Sequence, residues 1–153
     1  MEKYSILLGY FDKQVVIIER LYEGVIHLQL KIWENKYVFA LKTQQLFTAL
    51  EDLFKQIAKA FENHIEDLGR FHQELLVRLN TSIPQIRPAL LSQESFILLD
   101  KVRAFRHFVR HGYGCELDEQ ELSILQERLK AHFSLVMQDL SIFRQYIDKL
   151  SKQ

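Results

Sequence analysis

Both prolines of this 153-residue chain, Pro84 and Pro88, fall in one short stretch, and only five glycines are scattered through the rest. Proline removes a backbone donor and pushes the preceding residue out of the helical region, so its confinement to one place leaves the flanking chain free to run as long helices. The apolar residues agree with this, recurring at intervals of three and four rather than two. A first helix is expected over about residues 5–33, with Leu7, Phe11, Val15, Ile18, Tyr22, Val25 and Ile32 on its apolar face. The β-branched run Val15 to Ile18 could form a short strand, but no turn chemistry flanks it. Gly9 and Gly24 each cost up to about 1 kcal/mol relative to alanine and mark either a kink or a close helix contact. A second helix over about 36–63 is carried by Phe39, Leu46, Leu50, Phe54, Ile57 and Phe61, with Glu51 and Lys55 paired one turn apart on the other side.

A third helix near 66–80 rests on Leu68, Phe71, Leu75 and Leu79, and the segment Asn80 to Pro88 is read as a loop. Ser92 is placed to cap a fourth helix, with Glu94 in its first turn and Leu98, Val102, Phe105 and Val109 facing the core. Gly112 and Gly114 end it. Asp118 to Glu121 resembles a capping box for a last helix, whose apolar positions run from Leu122 to Leu150 for about eight turns. With no internal repeat or linker, these elements make an all-α, five-helix, up-and-down bundle, a single domain over residues 1–153.

A chain of this length buries roughly 68–70% of the surface its unfolded form exposes, so it needs no disulfide or metal staple. Its lone cysteine, Cys115, fits a reducing compartment. No basic, apolar leader opens the chain, and its longest β-branched apolar run falls far below the roughly 20 residues that span a bilayer. A cytoplasmic protein with no membrane partner is expected. Twenty basic and twenty acidic residues cancel, so any nucleic-acid site must be a local patch.

The common catalytic motifs are absent: no phosphate-cradling glycine loop, no Cys-x-x-Cys, no His-Glu-x-x-His and no Gly-x-Ser-x-Gly. The histidines do not group with carboxylates at ligand spacings, so neither metal nor cofactor is expected. The unusual segment is 101–114, where Lys101, Arg103, Arg106 and Arg110 occur with no acid among them, while Glu116 to Glu121 holds four acids. On a helix, Arg103, Arg106 and Arg110 fall within about 60° of one another, a cationic stripe beside the apolar face. Such a stripe suits phosphate oxygens, or it is a solvated face complementing the helix dipole. His111, at the end of this helix, has a reference pKa near 6.5, suited to taking a proton from a ribose 2′-hydroxyl while an arginine stabilises charge on the phosphate.

Arg106, four residues, His111, one residue and Tyr113 reproduce the Arg-x4-His-x-Tyr motif of HEPN domains. The surroundings resemble the HepT branch: Phe71 to Leu76, Arg87 to Ser92, Phe105 to Gly114, and Glu116 to Asp118. Gly112 departs from the alanine-sized residue expected there and predicts a looser turn around His111. The resemblance implies a helical, dimeric, metal-independent endoribonuclease toxin, with Arg106 and His111 catalytic. It further implies a small nucleotidyltransferase antitoxin that adenylylates Tyr113. Arg103, His107 and Arg110 lie outside the motif and are candidate RNA contacts.

Five helical positions separate Arg106 and His111 by about 140° of rotation. They can act together only if the helix unwinds before His111 or a second copy supplies one of them, which favours a homodimer. The alternative function is a HEPN-fold binding or substrate-presenting subunit of a nucleotidyltransferase without nuclease activity, and a third reading is a bundle whose motif is coincidental.

Overall fold

A computed structural model describes residues 2–62, 72–112 and 116–153. Those residues form five helices, α1 (Glu2–Ile26), α2 (Trp33–Glu62), α3 (His72–Leu79), α4 (Gln93–His111) and α5 (Glu119–Ser151), with no strand beyond a single bridge. The all-α expectation holds, including the helical state of Val15 to Ile18. The expected start of the third helix, with Leu68 and Phe71, lies outside the described residues.

Contacts along α1 and α2 run antiparallel: Tyr4 meets Phe61 at 5.3 Å between ring centroids, the Gln14 side chain donates to the Ala49 carbonyl, and Gly24 lies against the aliphatic part of Lys42. Of the two glycines singled out in α1, Gly24 therefore marks a close helix approach, whereas Gly9 faces open space. Helix α5 returns antiparallel to α1, with Asp12 bonded to Arg144 and Tyr22 stacked on Phe133 at 4.3 Å. Helix α4 packs on α2 and α5, and α3 on α2 and α4. All five helices contribute to one buried cluster, centred on Phe39, Phe47, Phe54 and Leu50 of α2 and Phe133 and Phe143 of α5.

The first boundary differs from expectation. Helix α1 stops at Ile26 rather than near 33, and Ile32 is exposed. Neither glycine nor proline breaks the chain there. Buried Gln126 of α5 donates its amide to the carbonyls of Val25 and Leu28, satisfying groups that a helix end leaves open, while Leu30 anchors the turn in the core. The two capped starts are as expected in position: Ser92 accepts from the Ser95 N–H, and Asp118 from the Gln120 N–H at 3.0 Å, one residue short of the suggested box. Asp139 of α5 in turn accepts from both the amide and the hydroxyl of Ser92, each at 2.8 Å.

The proline segment is a built turn. Ile83 and Arg87 exchange backbone hydrogen bonds around Pro84 and Gln85, and Gln85 takes φ 68° in the region glycine or asparagine usually fills. The buried Arg87 guanidinium holds this turn by bonds to Glu62 and to the carbonyls of Arg78, Thr81 and Pro88. No helix among the described residues is long and apolar enough to cross a membrane.

Candidate functional site

Helix α4 buries Ser95, Leu98, Leu99, Val102 and Arg106. The expected face of Leu98, Val102, Phe105 and Val109 is thus only half right: Phe105 is half-buried, edge-on to Phe39, and Val109 is half-buried. The position that continues the core stripe, seven residues after Leu99, is an arginine. Arg106 is 4% exposed. It does not lie on a solvated cationic stripe with Arg103 and Arg110, as its spacing had implied.

What makes that burial tolerable is on α2. The Arg106 Nη1 donates to Glu51 Oε1 at 3.0 Å and to Thr48 Oγ1 at 3.1 Å, and its Cζ lies 4.8 Å from the centre of the Phe47 ring. Glu51 is itself 3% exposed, so the sequence expectation of a surface Glu51–Lys55 face is corrected. Spacing carried a signal for this: Phe47, Glu51, Phe54 and Ala58 follow one another at four, three and four, which puts the carboxylate on the core stripe of α2. An unpaired buried charge is prohibitive, whereas a hydrogen-bonded pair is nearly neutral against an apolar pair of the same volume. Arginine suits the place because its planar cation bonds an acid in one direction and lies over an aromatic face in another.

The other half of the motif has the opposite environment. Helix α4 stays intact through His111, and the Gly112 N–H continues the pattern to the Phe108 carbonyl at 2.8 Å. His111 is exposed, and so is His107 one turn earlier, with the two rings 4.5 Å apart and tilted by 48°. Arg110 is exposed, and Arg103 bonds Asp100 in its own helix through Nε at 2.8 Å. Gly112 does not loosen this end. A Cβ there would stand 2.8 Å from the Phe108 carbonyl oxygen, so the tight approach needs glycine. Tyr113 and Cys115 lie outside the described residues. One copy of the chain therefore brings Arg106 to the core with Glu51, and His111 to the surface with His107, but does not bring Arg106 and His111 together.

An all-helical bundle whose core helix α4 carries Arg-x4-His at its C-terminal end defines the class, an HEPN-like helical protein. Within that class the chain belongs to a particular family: the family model described as HepT-like protein matches residues 38–147, from α2 into the last turns of α5. No curated protein and no solved structure matches the chain.

Proposed function

We propose that this chain is a metal-independent endoribonuclease toxin of a HEPN/nucleotidyltransferase toxin–antitoxin pair, with Arg106 and His111 catalytic. The observation that carries the reading is the exposed imidazole of His111 at the end of an unbroken α4, five residues beyond Arg106, in a HepT-like chain. His111 takes the proton of a ribose 2′-hydroxyl as the O2′–P bond forms. The P–O5′ bond breaks and the leaving oxygen is protonated, giving a 2′,3′-cyclic phosphate. DNA lacks the attacking hydroxyl, so the site acts on RNA. Exposed Arg110, His107 one turn from His111, and half-buried Arg103 are the candidate RNA contacts.

Because α4 does not unwind, the 140° between Arg106 and His111 supports the second of the two routes open to them, a homodimer in which each cleft draws on both copies. Of the acceptors described for Arg106, exposed Thr48 is easier for an incoming phosphate to displace than buried Glu51. Antitoxin action is adenylylation of Tyr113: its phenolic oxygen attacks the α-phosphate of ATP and pyrophosphate leaves. The resulting phosphodiester competes with RNA for the nearby cations.

Burial of Arg106 favours a second reading, in which the arginine is structural and the chain is a binding subunit for its nucleotidyltransferase. Cleavage of RNA by the purified chain in EDTA separates the two. The toxin reading expects cyclic-phosphate ends from the wild type and none from His111→Ala or Arg106→Ala. Equal cleavage by wild type and His111→Ala overturns it, as does a strict need for magnesium. Sedimentation equilibrium tests the dimer, and peptide mass spectrometry after co-expression with the proposed cognate nucleotidyltransferase tests adenylate on Tyr113.

A further inference from the structure

His107 and His111 stand on the same exposed side of α4 as an i, i+4 pair, and the structure brings their rings to 4.5 Å. We infer that these two imidazoles form a bidentate site for a late divalent transition ion of the zinc type, and that filling it takes His111 out of use. With a zinc–nitrogen bond of about 2.0–2.1 Å, the centre of a bound imidazole ring lies about 3.2 Å from the metal, so rings 4.5 Å apart subtend about 90° there. The tetrahedral angle that zinc prefers asks them to separate by only about 0.7 Å more. Water completes the coordination, as in sites that keep open positions.

Charge does not forbid the ion. Of the four cations in the segment, Arg106 is bonded to Glu51 inside the core and Arg103 to Asp100, while Lys101 is six residues back, about 9 Å along the axis. Arg110 remains close, and against it stands the C-terminal end of α4, whose outward carbonyls favour a cation. Neutral imidazole is the ligand form, and nitrogen donors suit zinc, nickel and copper over magnesium or calcium. The ion takes the lone pair that His111 needs to accept the 2′-hydroxyl proton. This inhibitory consequence rests on the nuclease reading; the metal site itself does not.

Isothermal titration of the full chain with zinc chloride tests the site, with His107→Asn and His111→Asn as variants and His132→Asn as the control on another exposed histidine. Loss of an outer-shell partner alone costs about 10–100-fold in metal affinity, so each of the first two variants should bind at least about tenfold more weakly. Both side chains are exposed, and unchanged circular dichroism will show that the fold is intact. Binding by both variants equal to wild type, or wild-type binding weaker than about 0.1 mM, overturns the site. In an RNA assay zinc should slow the wild type, and the residual cleavage of His107→Asn should be insensitive to it. Cleavage that ignores zinc while zinc is bound overturns the inhibitory role. Histidine-dependent binding by a chain that cuts no RNA leaves the metal site standing and removes the nuclease reading.

Discussion

Two arginines are buried beside glutamates in this bundle, and they are held in different ways. Arg87, with a side chain fully out of solvent, bonds Glu62 at 2.7 Å and spends its other described bonds on the carbonyls of Arg78, Thr81 and Pro88. Arg106, equally deep, meets side chains in its described bonds, the acid of Glu51 and the hydroxyl of Thr48, and lies against the Phe47 ring. Backbone acceptors are fixed by the turn they belong to, so Arg87 is a staple that the proline loop cannot release without unfolding. Side-chain acceptors can rotate or be displaced by another oxyanion. Among the described bonds, the difference is between an arginine held by backbone and one held by side chains.

The largest expected effects come from cutting either pair in half. Arg106→Ala should cost about 3–5 kcal/mol, because it takes one partner from a buried ion pair. Arg87→Ala should cost a comparable amount, because it removes the donor to the Thr81 and Pro88 carbonyls as well as one of the two arginines on Glu62. At about 2–4 °C per kcal/mol for a chain of this size, thermal unfolding should fall by roughly 10 °C. Paired apolar replacements should then tell the two apart. Arg106→Met with Glu51→Leu should restore stability to within about 1 kcal/mol of wild type or exceed it, since a well-packed apolar pair is often as good as a buried ion pair. The same exchange at Arg87 and Glu62 should stay well below wild type, for it takes the donor from the carbonyls of Thr81 and Pro88, at about 1–3 kcal/mol for each that stays dry, while the Arg78 carbonyl keeps the Thr81 N–H. Equal rescue of both doubles by denaturant titration breaks the comparison.

A smaller effect is expected at the exposed end of α4. Gly112→Ala must shift the Phe108 carbonyl and weaken its bond to residue 112, a loss of about 1 kcal/mol, and, on the nuclease function proposed above, should lower RNA cleavage by moving His111. Cleavage and stability both equal to wild type would show that the last turn absorbs the methyl. The smallest effect belongs to an arginine–carboxylate pair on the surface. Arg144 bonds both oxygens of Asp12, at 2.6 and 2.9 Å, and that hydrogen bonding holds the Asp12 carboxyl below its usual range. A depressed folded-state pKa adds stability that is present above the unfolded value, about 3.9, and is lost as pH falls through the folded one. Urea titrations at about pH 5 and pH 3 should therefore show the wild type losing slightly more than Asp12→Asn. An equal loss in both proteins would mean that the pair adds nothing.

How much of this was legible beforehand depended on the range of the cause. The caps Ser92 and Asp118, the proline turn and the stripes of α2 and α5 are set within a few residues of themselves, and they read correctly. The end of α1 did not, because the group that bonds the Val25 carbonyl there, and the Leu28 carbonyl just beyond it, is Gln126, about a hundred residues away. The depth of Arg106 was missed for a related reason. A charged residue is ordinarily a surface residue, and only its seven-residue distance from Leu99, matched by Glu51 among Phe47, Phe54 and Ala58, pointed the other way. The support that Asp139 gives to the start of α4 is likewise a contact between distant segments.

Sequence alone determined that this chain is all helix and where most of its helices begin. Those properties follow from period, capping and side-chain type, which act locally. Only the tertiary structure decided that Arg106 faces inward and His111 outward. A rotation of 140° is fixed by the helix, but which direction is core is fixed by the neighbours, and the neighbour that made room for a cation is Glu51 on another helix.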